Sequence, residues 1–511
     1  ASNKSIYTSK ARNQYWMLPL LAGIAGAIFQ WRNDRRGFIA VLSLFLITGL
    51  VLALYLNSPP VEPRERDYIY VASFIAFCVW VGLSLVAFAN LISRRALAIP
   101  LVALVTLGLP VLMLVQNYDD HDRSGRTFQV DNARNLLASC APNAILFTGG
   151  DNDTFPLWYV QEVEGFRTDV RVMVLSYLNT DWYVNQLRNP YYQSAPFSLS
   201  LTRNDYLQYG PNDVLYIQET IKEGIDAKKY LQLIREGNKA LRMQSSTGDY
   251  FTILPSKKLL IRRGDSLSQA GPKLTSSNTS EDSLRHSSLI LNVKGNYATK
   301  SVLAIVDIMI SNQWKRPIYF NFTSLNTAGL NLNEHVVQEG AVYRFDPLRV
   351  PGKEIAIDKR SMRSNLMEKA NYANLLNPDI HFNYEDFNLR MISPLRQSFN
   401  SLAISFLDVQ DRGTALSVMQ FAKANLYLPH LLPTFANLEA AEIFSALGDD
   451  ESAVNLCSTL FDCHIAELRW QLENGRSVDG GLDRFLAQQS ARMLAALGNT
   501  APEVELNKLG L

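Results

Sequence analysis

NAILFTGGDNDTFPLWYVQEVEGFRTDVRVMVLS, residues 143–176, decides the fold class of most of this chain. NAILFTGG is a short apolar run closed by two glycines, DNDTFPLWYVQEVEG is a turn entering an amphipathic helix, and DVRVMVLS is a second strand. That order is one β-α-β unit, so parallel strands are expected. Open α/β sheets bind ligands beyond the carboxyl ends of their strands, where Gly149, Gly150, Asp151 and Asp153 fall. Two carboxylates there would repel a phosphate unless a divalent metal lay between them, so a divalent metal is one cofactor the loop could take. The alternative is that Asp151 simply caps the following helix.

Downstream, SVLAIVDIMISNQW (301–314) has the look of a helix and RPIYFNFT (316–323) of a strand. NEHVVQEG (333–340) and AVYRFDPL (341–348) are expected to repeat that helix-to-strand alternation, continuing the sheet. Between the two strand regions, GDSLSQAGPKLTSSNTSEDSLRHSS (264–288) has little to bury and is expected to be a flexible loop. After about residue 398 strand signals vanish. NLEAAEIFSALGDDESAVNLCSTLF (437–461) breaks at Gly448-Asp449-Asp450 in the manner of a tetratricopeptide-type hairpin, and NSLAISFLDVQDRGTALSVMQFAKANL (400–426) is a degenerate copy. A plain helical cap on the α/β domain is the alternative.

Upstream lie four apolar runs, at about 15–30, 37–56, 68–93 and 97–116. Helices of that length can cross or nearly cross a hydrocarbon core of ~30 Å, and polar faces at helical spacing are almost absent. Four membrane spans are therefore expected. The loops with Arg32, Arg35 and Arg36 and with Arg94 and Arg95 would face the cytoplasm, leaving everything after Gln116 outside. Lys4, Lys10, Arg12, Arg64 and Arg66 run against that count. The domains expected are 1–116 (transmembrane), 117–397 (extracytoplasmic α/β) and 398–511 (helical, tetratricopeptide-like). The start at Ala1, with no signal-peptide pattern, reads as a fragment of something longer.

Charge excludes one class of partner: 49 basic against 48 acidic residues give no global field to attract nucleic acid. Cys78, Cys140, Cys457 and Cys463 lack zinc or redox spacing, leaving a Cys457–Cys463 disulfide or packed thiols.

The segments LNSPPVEPRERDYIYVASFIAFCVWVGL (56–83), NYDDHDRSGR (117–126), 143–187, NQWKRPIYF (312–320) and VQEGAVYRFDP (337–347) closely resemble bacterial membrane proteins grouped as glycosyltransferase family 117. That family is similar to the protein O-mannosyltransferases of the GT-C class. The resemblance implies the last spans of a GT-C bundle plus the periplasmic domain of an inner-membrane enzyme. Such an enzyme takes a sugar, mannose by the resemblance, from a polyprenyl-phosphate donor to a protein acceptor. Its main catalytic acid would lie in a missing N-terminal half, so no catalytic residue carries over. Asp-Ser-aliphatic triplets at 265–267 and 282–284 match the acceptor pattern associated with bacteria carrying the family.

Three groups of residues are candidates for binding. Arg64 and Arg66, at the membrane-water boundary, suit a lipid phosphate, or pair with Glu62, Glu65 and Asp67 and snorkel. Asp119, Asp120, His121 and Asp122 offer mixed metal ligands, or form a solvated connector. Trp158 and Trp182, with Tyr159 and Tyr183, could stack on sugar rings, or belong to the core. The competing function is a non-catalytic membrane-anchored scaffold that binds proteins.

Overall fold

The structure, a computed structural model, describes residues 13, 15–57, 66–91, 95–244, 248, 250–262, 288–349, 355–380, 382, 391–478 and 481–511. Only the backbone is described at 91, 95–99, 101–103, 105–106 and 119–120. The loop 264–287 and both Asp-Ser-aliphatic triplets lie outside the described residues. The chain divides into two compact units, Ser2–Ser124 and Gly125–Leu511.

The first unit is helical: α1 (Leu18–Asn33), α2 (Arg35–Leu46), α3 (Val71–Leu91) and α4 (Arg95–His121). A π-helical turn, Ile47–Val51, carries α2 on to Leu56. Among the described residues two helices are long and apolar enough to cross a membrane, Arg35–Leu56 and Asp67–Asn90. This corrects the expectation of four spans and of the end of a GT-C bundle. The 16 residues of α1 reach only ~24 Å at ~1.5 Å each, short of the ~30 Å core. In α4, which holds Pro100 and Pro110 and ends in a polar turn, the apolar stretch found among the described residues is Leu107–Tyr118. Two spans also place Arg32, Arg35 and Arg36 on the same side as Arg94 and Arg95. The arginine count then no longer puts the larger unit outside the cytoplasm.

Small residues let α1 approach α3 closely. A Cβ on Gly23 would fall 2.1 Å from the Phe77 ring and one on Gly26 1.7 Å from the Trp80 carbonyl oxygen. Beside them Trp80 Nε1 donates to Gln30 Oε1 at 2.8 Å in a buried pair.

In the second unit α5 (Phe128–Ser139) leads into β1 (Ile145–Thr148), α6 (Asp151–Glu162) and β2 (Arg171–Val174). After α7 (Asp181–Gln186) the chain builds two small sheets from β3 (Val214–Ile217), β4 (Ile225–Asp226), β5 (Arg242–Gln244), β6 (Tyr250–Leu254), β7 (Lys258–Arg262), β8 (Ser288–Asn292) and β9 (Tyr297–Thr299). It returns through α8 (Lys300–Asn312) to β10 (Ile318–Asn321), then α9 (Phe322–Thr327), β11 (Val336–Gln338), β12 (Val342–Phe345) and β13 (Ala356–Ile357). The main sheet has the order β13-β11-β12-β10-β1-β2, and β1 pairs parallel with both β2 and β10. Alternation along the central strands explains why both faces are covered. Ile145, Phe147, Met173, Ile318 and Phe320 join one core with α8, while Leu146, Val172 and Tyr319 join another with α5 and α6.

The helix-to-strand alternation expected at 333–348 is also corrected. The two strands there pair antiparallel as a hairpin, turned at Gly340 with φ 112°. Strands of three and four residues leave room for no more than the 3₁₀ turn Asn333–His335, and only glycine takes the backbone at 340 without strain.

Arg167 shows how the turn before β2 is held. Its guanidinium donates to the Leu137, Cys140 and Ala141 carbonyls at 2.7, 2.8 and 2.9 Å and pairs with Asp169 at 2.8 Å. These bonds satisfy the carbonyls that α5 leaves open at its C-terminus. Arg167→Ala is expected to cost about 2–3 kcal/mol in urea unfolding. The hydrogen bond from Arg167 lowers the Asp169 carboxyl below its ordinary 3.8. The unfolded state therefore binds its proton first as pH falls, so this stabilisation is full above about pH 5 and is lost as pH drops through the folded value. The variant should lose that acid-side slope.

The remainder is helical: α10 (Ser393–Leu407), α11 (Arg412–Asn425), α12 (Phe435–Leu447), α13 (Asp450–Glu473), α14 (Leu482–Ala496) and α15 (Ala501–Lys508). Gly448, at φ 85°, ends α12, and Asp449 caps α13 by accepting from Ser452 N. Cys457 and Cys463 share α13, and no disulfide joins them.

Candidate functional site

The crevice beyond the carboxyl ends of β1 and β10 is where this topology would place a ligand. Here it is closed. A Cβ on Gly149 would lie 2.3 Å from Thr323 Cγ2, and Asp153 Oδ2 accepts from Gly149 N at 3.3 Å. The space left is about 50 Å³, enough for little more than water. Gly149 thus serves close packing. Gly150, not Asp151, is the N-cap of α6, and Asp151 and Asp153 sit in its first turn, where negative charge favours the helix dipole.

The open site lies one strand over, at the sheet edge. A cleft of about 440 Å³ is bounded by α6, by β2 and by the segment 177–191. One wall is aromatic, formed by Trp158 on α6, Tyr177 after β2, and Trp182 and Tyr183 on α7. Tyr177 is central, with ring centroids 6.3 Å from Trp158, 5.8 Å from Trp182 and 5.6 Å from Tyr183. Tyr183 anchors the group from below. Its hydroxyl accepts from Val174 N at 3.3 Å, and burial pushes its pKa up to about 12. Trp182, its neighbour on α7, is 53% exposed and free to meet a ligand. On α6, Phe155 stacks on Trp158 at 5.6 Å and extends the aromatic surface.

The lining also carries polar side chains, Glu162, Arg171, Gln186 and Asn189, with Tyr191 beside them. Glu162 accepts from the hydroxyls of both Tyr191 and Tyr192. Arg171, only 4% exposed, donates through Nη2 to the Asn189 carbonyl at 3.1 Å. Its guanidinium lies over the Tyr191 and Phe197 rings at 5.2 and 5.8 Å. Burial lowers its pKa. Arg316 lies over Phe197 at 4.9 Å, and burial, then the Arg171 charge, push it down to about 10.

Aromatic rings beside amide side chains can hold a sugar ring, whose C–H faces stack on the aromatics while its hydroxyls bond to the amides. Trp158 and Trp182, singled out in the sequence, line this one cleft. Asp151 reaches it through a hydrogen bond with Tyr177, whose pKa is raised by burial first and then by that carboxylate. Asp153 is turned to Gly149. Arg64 lies outside the described residues, and Arg66 belongs to the first unit, just before Asp67. Asp119 and Asp120 are described by backbone alone. Asp122 accepts from Ser124 N and Oγ at 3.0 and 2.6 Å, a local turn. No group of three His, Cys, Asp or Glu side chains among the described residues is placed to hold a metal. Arg171, Glu162 and Gln186 were not among the residues expected here. The signal for Arg171 was present: a lone charge in the apolar run VRVMV.

Residues 129–368 match the family model described as TMEM260-associated domain 2. The cleft falls wholly within the matched domain. No curated protein and no solved structure matches the chain.

Proposed function

We propose that this chain is the saccharide-binding part of a membrane-anchored glycosyltransferase, and that the cleft between Trp158, Tyr177 and Trp182 holds the sugar. The cleft itself carries this reading: aromatic faces line it together with the amides of Gln186 and Asn189, which can meet hydroxyls. It is supported by the match to a TMEM260-associated domain and by the resemblance to glycosyltransferase family 117. Two apolar helices, Arg35–Leu56 and Asp67–Asn90, are long enough to anchor the chain in a bilayer.

In the full reaction a sugar, mannose in this reading, passes from a polyprenyl phosphate to a protein hydroxyl. The acceptor loses a proton and the carrier leaves as a phosphate. Asp151 is exposed and bonded to Tyr177, and Glu162 is bonded to the Tyr191 and Tyr192 hydroxyls. The cleft therefore binds and orients, and the base is supplied by another part of the enzyme. The larger unit is placed outside the cytoplasm on the resemblance alone. A phosphatase reporter that works only outside the cytoplasm, fused after Leu511, should be active, and silence would reverse the orientation. A scaffold role is the second reading, favoured by the helical hairpins of α10–α14, whose stacked surfaces suit protein partners.

The test is saccharide binding by the full chain in detergent, followed by tryptophan fluorescence. Mannohexaose should bind, and Trp182→Ala should weaken it about threefold to tenfold, as expected for a lost stacking contact. The melting temperature should stay put, because Trp182 is half exposed. Wild-type protein that binds no saccharide would leave the scaffold as the better reading.

A further inference from the structure

We infer that the cleft is selective for a saccharide carrying an anionic substituent, a carboxylate or a phosphate, which Arg171 receives while the ring lies against Trp158 and Trp182. This inference rests on the saccharide reading of the cleft and names the class of sugar. Its basis is the state of one guanidinium. Arg171 is 4% exposed, it lines the cleft, and its Nη1 is buried with no hydrogen-bond partner among the described residues. A buried donor left unmade costs free energy comparable to a lost hydrogen bond, and more when the group is charged. Native structures rarely keep such a group without a use.

The groups acting on its charge are the Tyr183 and Tyr191 hydroxyls, and its own charge lowers the pKa of a second cation, Arg316. Glu162 lines the same cleft, but its two oxygens are occupied by the hydroxyls of Tyr191 and Tyr192. A neutral sugar could offer Nη1 only an uncharged hydroxyl oxygen, whereas a carboxylate or phosphate oxygen would complete a charge-assisted pair, about twice as strong. The Tyr191 ring lies over the guanidinium at 5.2 Å, so it must swing aside as the anion enters. Its position in the short turn closed by the Tyr191–Ser194 bridge allows that movement without disturbing the sheet.

The experiment compares three hexasaccharide probes on the full chain in detergent: neutral mannohexaose, a hexauronate, and mannohexaose ending in mannose 6-phosphate. At least one acidic probe should bind about ten- to a hundredfold tighter than the neutral one, the effect of one charge-assisted hydrogen bond. The winning arm identifies the anion as carboxylate or phosphate. Arg171→Gln should abolish the preference, bringing the acidic probes down to the affinity of the neutral one. Because Arg171 is buried, a second variant guards against loss of folding. Glu162→Gln, at an exposed position, removes the opposing charge and should strengthen the acidic probes alone. Equal binding of all three probes by the wild type overturns the inference and leaves the saccharide reading standing. A preference that Arg171→Gln leaves unchanged overturns it as well. Should that variant not fold, a preference left unchanged by Glu162→Gln does so in its place. Failure of all three probes to bind overturns the saccharide reading itself.

Discussion

Asp307→Ala is expected to lower the stability of the larger unit by about 4–5 kcal/mol, the sum expected when several buried donors lose one charged acceptor. Asp307 is fully buried on α8. Oδ1 accepts from Ser200 N at 2.9 Å, Ser200 Oγ at 2.6 Å and Ser311 Oγ at 3.1 Å, and Oδ2 accepts from Leu201 N at 3.1 Å and Tyr206 Oη at 2.8 Å. Burial, then the carboxylate, raise the Tyr206 hydroxyl well above its ordinary range, so it stays a donor. Removing the carboxylate strands two backbone N–H groups with no water to take them. Asp307→Asn keeps one acceptor oxygen but turns an amide donor toward other donors, so about half the loss is expected. Urea unfolding of the detergent-solubilised chain reads both, and a change under about 1 kcal/mol for alanine would show the network to be dispensable. The cleft should feel the change too. Segment 197–206 is tied down by this carboxylate, and it begins at Phe197, over whose ring both Arg171 and Arg316 lie. Saccharide affinity should therefore fall in the Asp307 variants under conditions where they remain folded.

Local signals made the centre of the sheet readable. The run ILFT, two glycines, an amphipathic segment and RVMV specify strand, turn, helix and strand by periodicity alone, and β1 and β2 do pair parallel. Periodicity could not say that β11 and β12 form a hairpin, because strands of three and four residues carry almost no period and the deciding feature is the backbone at Gly340. Apolar length was likewise a poor count of spans. It ignores where a helix starts, and the first apolar run falls short because its helix begins only at Leu18. Of the cleft, the sequence offered the two tryptophans but not their meeting, since α6 and α7 are brought together only by the crossover past β2. Arg171 was visible as a charge in a buried strand, yet its missing partner is a fact of three dimensions. Conversely, the loop at Gly149–Asp153 had the look of a ligand site. Only the contact of Thr323, far along the chain, shows it to be filled.

Arg396 offers the corresponding test in the helical region. It is fully buried on α10, and every partner of its guanidinium is neutral. Nε and Nη2 donate to the Leu426 carbonyl at 3.0 and 2.7 Å, and Nη1 donates to the Leu432 carbonyl at 2.8 Å and Asn437 Oδ1 at 3.2 Å. The cation also lies over the Tyr427 ring at 5.0 Å. One side chain thus ties α10 to the end of α11, to the connection 426–434 and to the Thr434–Asn437 capping box that opens α12. Burial pushes its pKa down to about 10, so the folded state disfavours the charge but does not remove it at neutral pH. Two effects of Arg396→Met then oppose each other. The variant escapes the desolvation of a cation, but it leaves the Leu426 and Leu432 carbonyls buried and unpaired. With two backbone acceptors and the cap orientation at stake, the loss should win, at about 3 kcal/mol net. Arg396→Lys keeps the charge but offers one nitrogen where three are used, and should lose nearly as much. Because the folded pKa is depressed, the unfolded chain holds this proton more tightly, and wild-type stability should gain from this group as pH rises through about 10. Neither variant should show that gain at the same pH. Melting temperatures of all three proteins between neutral pH and about pH 10.5 decide the matter. A methionine variant as stable as the wild type would show that desolvation outweighs the lost bonds, and that the arginine is kept for the geometry of the connection rather than for its strength.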